Sequence, residues 1–133
     1  MRIESAFVAN HVESHAGMFY AHGAFAAVAF VPELPCTRPL PFGIVVELAD
    51  DEVGDTFALD VRLRGPDGTV LQSVDMVLWV ELTGIDDAPN FLLQPGLMTA
   101  ELQTEGLHLL EFARFEDILY TVRFSVTRTE EGF

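Results

Sequence analysis

The sequence predicts an all-β fold: a single antiparallel β-sandwich of seven or eight strands, immunoglobulin-like or C2-like, with little or no helix. Three observations predict it. Apolar and polar residues alternate at period two along most of the chain. Turn residues interrupt these runs at short intervals. No window sustains a helical period, and the nearest, "MTAELQTEGLHLLEF", is divided by Gly106.

The elements are read in order as strands over about 2–10, 18–31, 41–49, 56–64, 69–82, 97–103, 106–114 and 118–128. "PFGIVVELA" sets Phe42, Ile44, Val46 and Leu48 on one face. "DTFALDVRLRG" sets Phe57, Leu59, Val61 and Leu63 against Asp60, Arg62 and Arg64. "TVLQSVDMVLWVEL" alternates Val74, Met76, Leu78 and Val80 against Ser73, Asp75, Trp79 and Glu81. "LHLLEFARF" alternates more loosely, with Leu110 and Phe112 inward. "ILYTVRFSVTR" sets Ile118, Tyr120, Val122, Phe124 and Val126 opposite Thr121, Arg123, Ser125 and Thr127. "RGPDGT" is a turn, because Pro66 presets its first central dihedral and Gly68 follows Asp67. "PELPCTRPLP" reads as a connection between strands, and "GIDDAPNFLLQPG" as the longest irregular segment.

These residues order the chain in a recognisable way. "AFVANHVE" is followed by "GMFYAHGAFAAV", a proline-rich connection, "VRLRGPDGTVLQ" and finally "GLHLLEFARFEDILYTVRFSV". The pattern resembles a family of small, uncharacterised bacterial β-sandwich proteins, a domain of unknown function. The resemblance spans nearly the whole chain and implies a fold and a bacterial origin, without catalytic residues. His108 stands where such a final hairpin often has tyrosine, and "FED" replaces the usual turn.

The chain of 133 residues reads as one domain over 1–129, with 130–133 a frayed tail. Cys36 is its single cysteine, which excludes an internal disulfide framework and favours a reducing compartment. Glu4 and Glu13 interrupt what would be the core of a signal peptide, and the longest uncharged run is short for a bilayer. A cytoplasmic protein that does not bind membranes is expected. Seven arginines, no lysine and 21 carboxylates leave a net charge of −14, which repels nucleic acid and attracts cations or basic proteins.

If every strand reverses direction, alternate connections share an end of the sandwich. One end then gathers His11, Glu13 and His15 with Asp50, Asp51, Glu52, Asp55, Asp86, Asp87, Glu116 and Asp117, and no arginine. The other holds Cys36, Arg38, the "GPDG" turn and Glu105. Asp50, Asp51, Asp55, Asp86 and Asp87 could supply oxygen ligands to calcium, although the helix-loop-helix calcium spacing is absent. No other cofactor is expected. "HVESHAGMFYAHG" clusters His11, His15 and His22, but the expected turn separates His22 from the other two, and no soft fourth ligand for zinc is near.

Strand 18–31 is apolar on both faces, which a two-layer sandwich does not require. Tyr20, Phe25, Val28 and Phe30 are the expected self-association face, with cover by the 84–96 segment as the competing explanation. Nucleophile elbows, phosphate-cradling glycine loops and nucleotide fingerprints are absent from the sequence. The expectation is a non-catalytic binding or assembly module that recognises another protein and forms homo-oligomers, its acidic end serving a basic or cationic partner. A calcium-dependent module on the same end and a small enzyme with a His/carboxylate acid-base site are the alternatives.

Overall fold

The computed structural model describes residues 1–15, 18–23, 27–52, 56–79 and 91–129. Its described strands are β1 (Arg2–Val8), β2 (His11–His15), β3 (Met18–His22), β4 (Val28–Val31) and β5 (Cys36–Glu47), then β6 (Thr56–Arg64), β7 (Val70–Trp79), β8 (Phe91–Leu102), β9 (Gly106–Arg114) and β10 (Asp117–Arg128). A single 3-10 turn at Asp50–Glu52 is the only helical element among the described residues. The fold is the all-β sandwich that the alternation predicts.

A three-stranded sheet, β1-β5-β8, packs on a five-stranded sheet, β4-β10-β9-β6-β7, and β2 and β3 form a separate hairpin. Period-two positions fill the space between the sheets. Phe57, Leu59, Val61 and Leu63 from β6 meet Leu40, Phe42, Ile44 and Val46 from β5, all of them buried. Leu110 and Phe112 of β9 and Phe124 and Val126 of β10 complete the layer. Phe42 packs edge-on against Phe112 with ring centroids 5.3 Å apart. The Phe42 ring also lies over Gly96, its lateral partner on β8, in the space a β-carbon would occupy.

Four features depart from the sequence reading. The 18–31 strand is two strands, with β3 paired to β2 and β4 carried into the five-stranded sheet. There β4 pairs in parallel with the last turns of β10, Val28 beside Ser125 and Val31 beside Arg128, although the remaining described pairings are antiparallel. The proline-rich segment is not all connection, since β5 begins at Cys36 and includes Pro39 and Pro41. Both prolines sit where the β1 side of β5 lies open, beyond the last paired residue of β1, so neither missing N–H breaks a ladder. Pro41 uses only its carbonyl there, accepting Ala9 N–H at 3.0 Å. Finally, β8 begins at Phe91, so "FLLQPGLM" contributes a paired strand, while residues 84–90 of the expected covering segment lie outside the described residues.

The "GPDG" turn is built as read. Gly68 lies at φ 84°, its N–H reaches Gly65 O at 3.0 Å, and Asp67 Oδ1 accepts Thr69 N–H at 3.0 Å. That bond holds the Asp67 carboxyl below its ordinary pKa.

Candidate functional site

Strand directions place the expected site residues. β5 ends, β6 begins, β7 ends, β8 begins, and β9 turns into β10, all at one end of the sandwich. Asp50, Asp51, Glu52, Glu116 and Asp117 therefore share that end. The proline-rich segment with Cys36 and Arg38, the "GPDG" turn and Glu105 share the other. His11, Glu13 and His15 do not join the acidic end. β1 starts there and carries the chain away before His11, and the inserted β2–β3 hairpin leaves β1 and β4 running in the same sense. Nor is that end free of cations. The Met1 ammonium bonds Glu52 Oε1 at 2.6 Å, Arg2 pairs with Glu47 at 2.6 Å and with Glu4, and Arg114 lies over the rings of Phe57 and Phe115.

The hairpin unites what the sequence reading divided. His11 and His22 are lateral partners, with ring centroids 6.2 Å apart, and His11 Nε2 lies 3.8 Å from a Glu13 carboxylate oxygen. Among the described residues no group of three metal-ligating side chains converges. Of the calcium candidates, Asp50 and Asp51 are exposed on the 3-10 turn, while Asp55, Asp86 and Asp87 lie outside the described residues. Phe25 also lies outside them. A groove of about 550 Å³ beside the proline-rich segment is lined by Pro32, Glu33, Cys36, Arg38, Glu101 and Gln103. It is wide and open.

The outer face of the five-stranded sheet is more organised. Lateral pairing sets Val28 beside Ser125 and Ser125 beside Leu107, while Phe30 sits beside Thr127. Val28 and Phe30 are each 40% exposed and Leu107 is 49% exposed. The next row runs Arg123, Leu109, Arg64, and the one after it Thr121, Glu111, Arg62. Glu111 is buried on this face, held by Arg64 Nε at 2.6 Å, while Arg64 also donates to Gly68 O at 2.9 Å. Arg62 reaches Asp60 at 3.3 Å and Phe115 O at 3.0 Å. The exposed Arg123 side chain makes no hydrogen bond or ion pair among the described residues. Towards the acidic end Asp60 faces Asp75, and hydrogen bonding to Asp60, with its charge, raises the Asp75 pKa. Tyr20, the remaining member of the expected self-association face, is exposed on β3 and belongs to the separate hairpin.

Phe115 is the residue that sequence reasoning missed. It is 81% exposed at the tip of the β9–β10 turn, with φ 58°, a conformation in which glycine or asparagine is usual. Arg62 fixes its carbonyl and Arg114 stands 5.7 Å from its ring, with exposed Glu116, Asp117 and Ile118 following. The signal available in the sequence was "FED", an aromatic where a turn residue belongs.

No family model matches the chain, and a comparison with curated proteins returns no match. Among solved structures the chain is similar to an immunoglobulin-like protein from Pseudomonas aeruginosa, at 18% identity over 95% of each chain, with a TM-score of 0.43.

Proposed function

We propose that this chain is a non-catalytic β-sandwich module that recognises protein surfaces and assembles with copies of itself. The observation that carries the reading is the open outer face of the five-stranded sheet, where Val28 and Phe30 of β4 and Leu107 of β9 stand exposed on either side of β10, near arginines. Apolar side chains with arginine and without lysine form the composition of a protein interface core. In a chain with a net charge of −14 these are scarce cations, and three of its seven arginines occupy this one face. The acidic end, with Asp51, Glu116 and Asp117 exposed, is the matching surface for a positively charged protein partner.

Sedimentation velocity over a wide concentration range tests the reading. Concentration-dependent association is expected, unchanged by chelator and reduced by Leu107→Asp. A wild-type protein that stays monomeric up to about millimolar concentration would sink it.

A further inference from the structure

We infer that the two surfaces are partners of one another: the acidic β9–β10 turn of one copy docks on the arginine-bordered sheet face of the next. This inference rests on the self-association proposed above and specifies its geometry.

Charge decides between the possible pairings. Face against face would press Arg123 towards Arg123 with Arg64 close by, a desolvated like-charge contact. End against end would oppose Asp51, Glu116 and Asp117 with their own copies. End against face instead sets Glu116 and Asp117, which have no ion pair among the described residues, opposite Arg123. Glu116 and Asp117 make no ion pair among the described residues, and neither does Arg123, so each surface offers charge that is not already neutralised. The apolar parts match as well. Phe115 and Ile118, 81% and 50% exposed, project from the acidic turn, and Leu107, Leu109 and Val28 form the apolar floor beside Arg123.

The turn explains why phenylalanine is tolerated at a left-handed position. A bulky residue there costs about 1 kcal/mol relative to glycine, and within the described chain the exposed ring has the Arg114 guanidinium 5.7 Å away to set against it. Burial against a second copy supplies a further compensating contact. Such an exposed aromatic, on a turn whose backbone carbonyl accepts from Arg62, has the character of an interface hot spot. Because the two surfaces differ, the contact is heterologous. The end points along the strands and the face points across them, so successive copies do not close about a two-fold axis and the assembly grows beyond a dimer, as a ring or an open chain.

Two variants test this without threatening the fold. Phe115→Gly removes the anchor and suits the left-handed backbone, while Arg123→Glu reverses an exposed side chain that has no partner among the described residues. Both should unfold cooperatively near the wild-type midpoint. In sedimentation velocity the wild type should grow beyond a dimer with concentration and shrink as salt is raised. Each variant alone should associate at least about tenfold more weakly. An equimolar mixture of the two should form a complex that stops at two copies, because one intact turn meets one intact face. If the wild type associates but the mixture forms no such complex, or the wild type stops at a dimer, the head-to-face geometry is overturned and self-association stands. If the wild type never associates, both are overturned.

Discussion

The side chain of Gln72 on β7 joins the backbone of β8 as a neighbouring strand would: its Nε2 donates to Thr99 O at 2.7 Å, and its Oε1 accepts Glu101 N–H at 2.8 Å. One amide thus ties an edge of the five-stranded sheet to an edge of the three-stranded sheet. It occupies backbone groups through which β8 could pair with another chain. Gln72→Ala should lower stability by about 1 kcal/mol, since water reaches the exposed groups left behind. Amide exchange at Glu101 should accelerate, and unchanged protection by NMR would remove the clasp from the account.

The Arg64–Glu111 pair makes a second prediction. Glu111 is 5% exposed, so an arginine removed from above it leaves a carboxylate with little water. Arg64→Met should cost about 2 kcal/mol in urea unfolding, less than a fully desolvated pair because Arg64 itself touches solvent. Replacing both, with Arg64→Met and Glu111→Leu, should recover most of that loss. A double variant as weak as the single one contradicts the pairing.

His108 lies in the core with Nδ1 2.9 Å from Gly106 O and its ring stacked on Phe124 at 5.6 Å, while Nε2 is buried without a hydrogen-bond partner among the described residues. An aromatic replacement that fills the same volume removes that cost. His108→Phe should leave stability within about 1 kcal/mol of wild type or raise it, whereas His108→Ala should lose about 3 kcal/mol to a cavity. Equal losses in the two variants would show that the imidazole nitrogens matter more than the ring's volume.

Two carboxyls respond to pH in opposite senses. Glu52, hydrogen-bonded to the Met1 ammonium and to Ala49 N–H, has a lowered pKa in the folded chain. Its contribution is therefore present above the ordinary carboxylate range and is lost as pH falls through the lowered value. Asp75, facing Asp60, has a raised pKa, so folding is opposed as pH rises through that value. Glu52→Gln should flatten the acid limb of a stability profile, and Asp75→Asn should raise stability at neutral pH. Profiles that superimpose on wild type would contradict both assignments.

Alternation in the sequence located the core face of each long strand, because a buried face demands period two: Phe57 to Leu63, and Val122 to Val126, point as read. It even set Arg62, Arg64 and Arg123 outward. What it could not supply was lateral register, so nothing in the chain announced that Arg123, Leu109 and Arg64 form one row. The misplacement of His11, Glu13 and His15 has a single cause. Counting reversals treats every strand as a member of the two main sheets, and the β2–β3 hairpin is not. Its insertion shifted one connection, while the 50–52 turn and the β9–β10 turn share an end as the count expects. Phe115 escaped notice for a related reason: exposure belongs to the folded surface, and an apolar residue next to β9 reads as core.

The parallel seam between β4 and β10 has a consequence for how the chain acquires its shape. Residues 28–31 leave the ribosome early, yet their only ladder partners among the described residues, 125–128, are translated almost a hundred residues later. Until then β4 has no sheet to join, and β9 lacks the neighbour that will cover one of its edges. The five-stranded sheet therefore closes after synthesis of its last strand and not progressively during translation. Any stop or cleavage before residue 125 would release a chain whose β4 lacks its ladder partner.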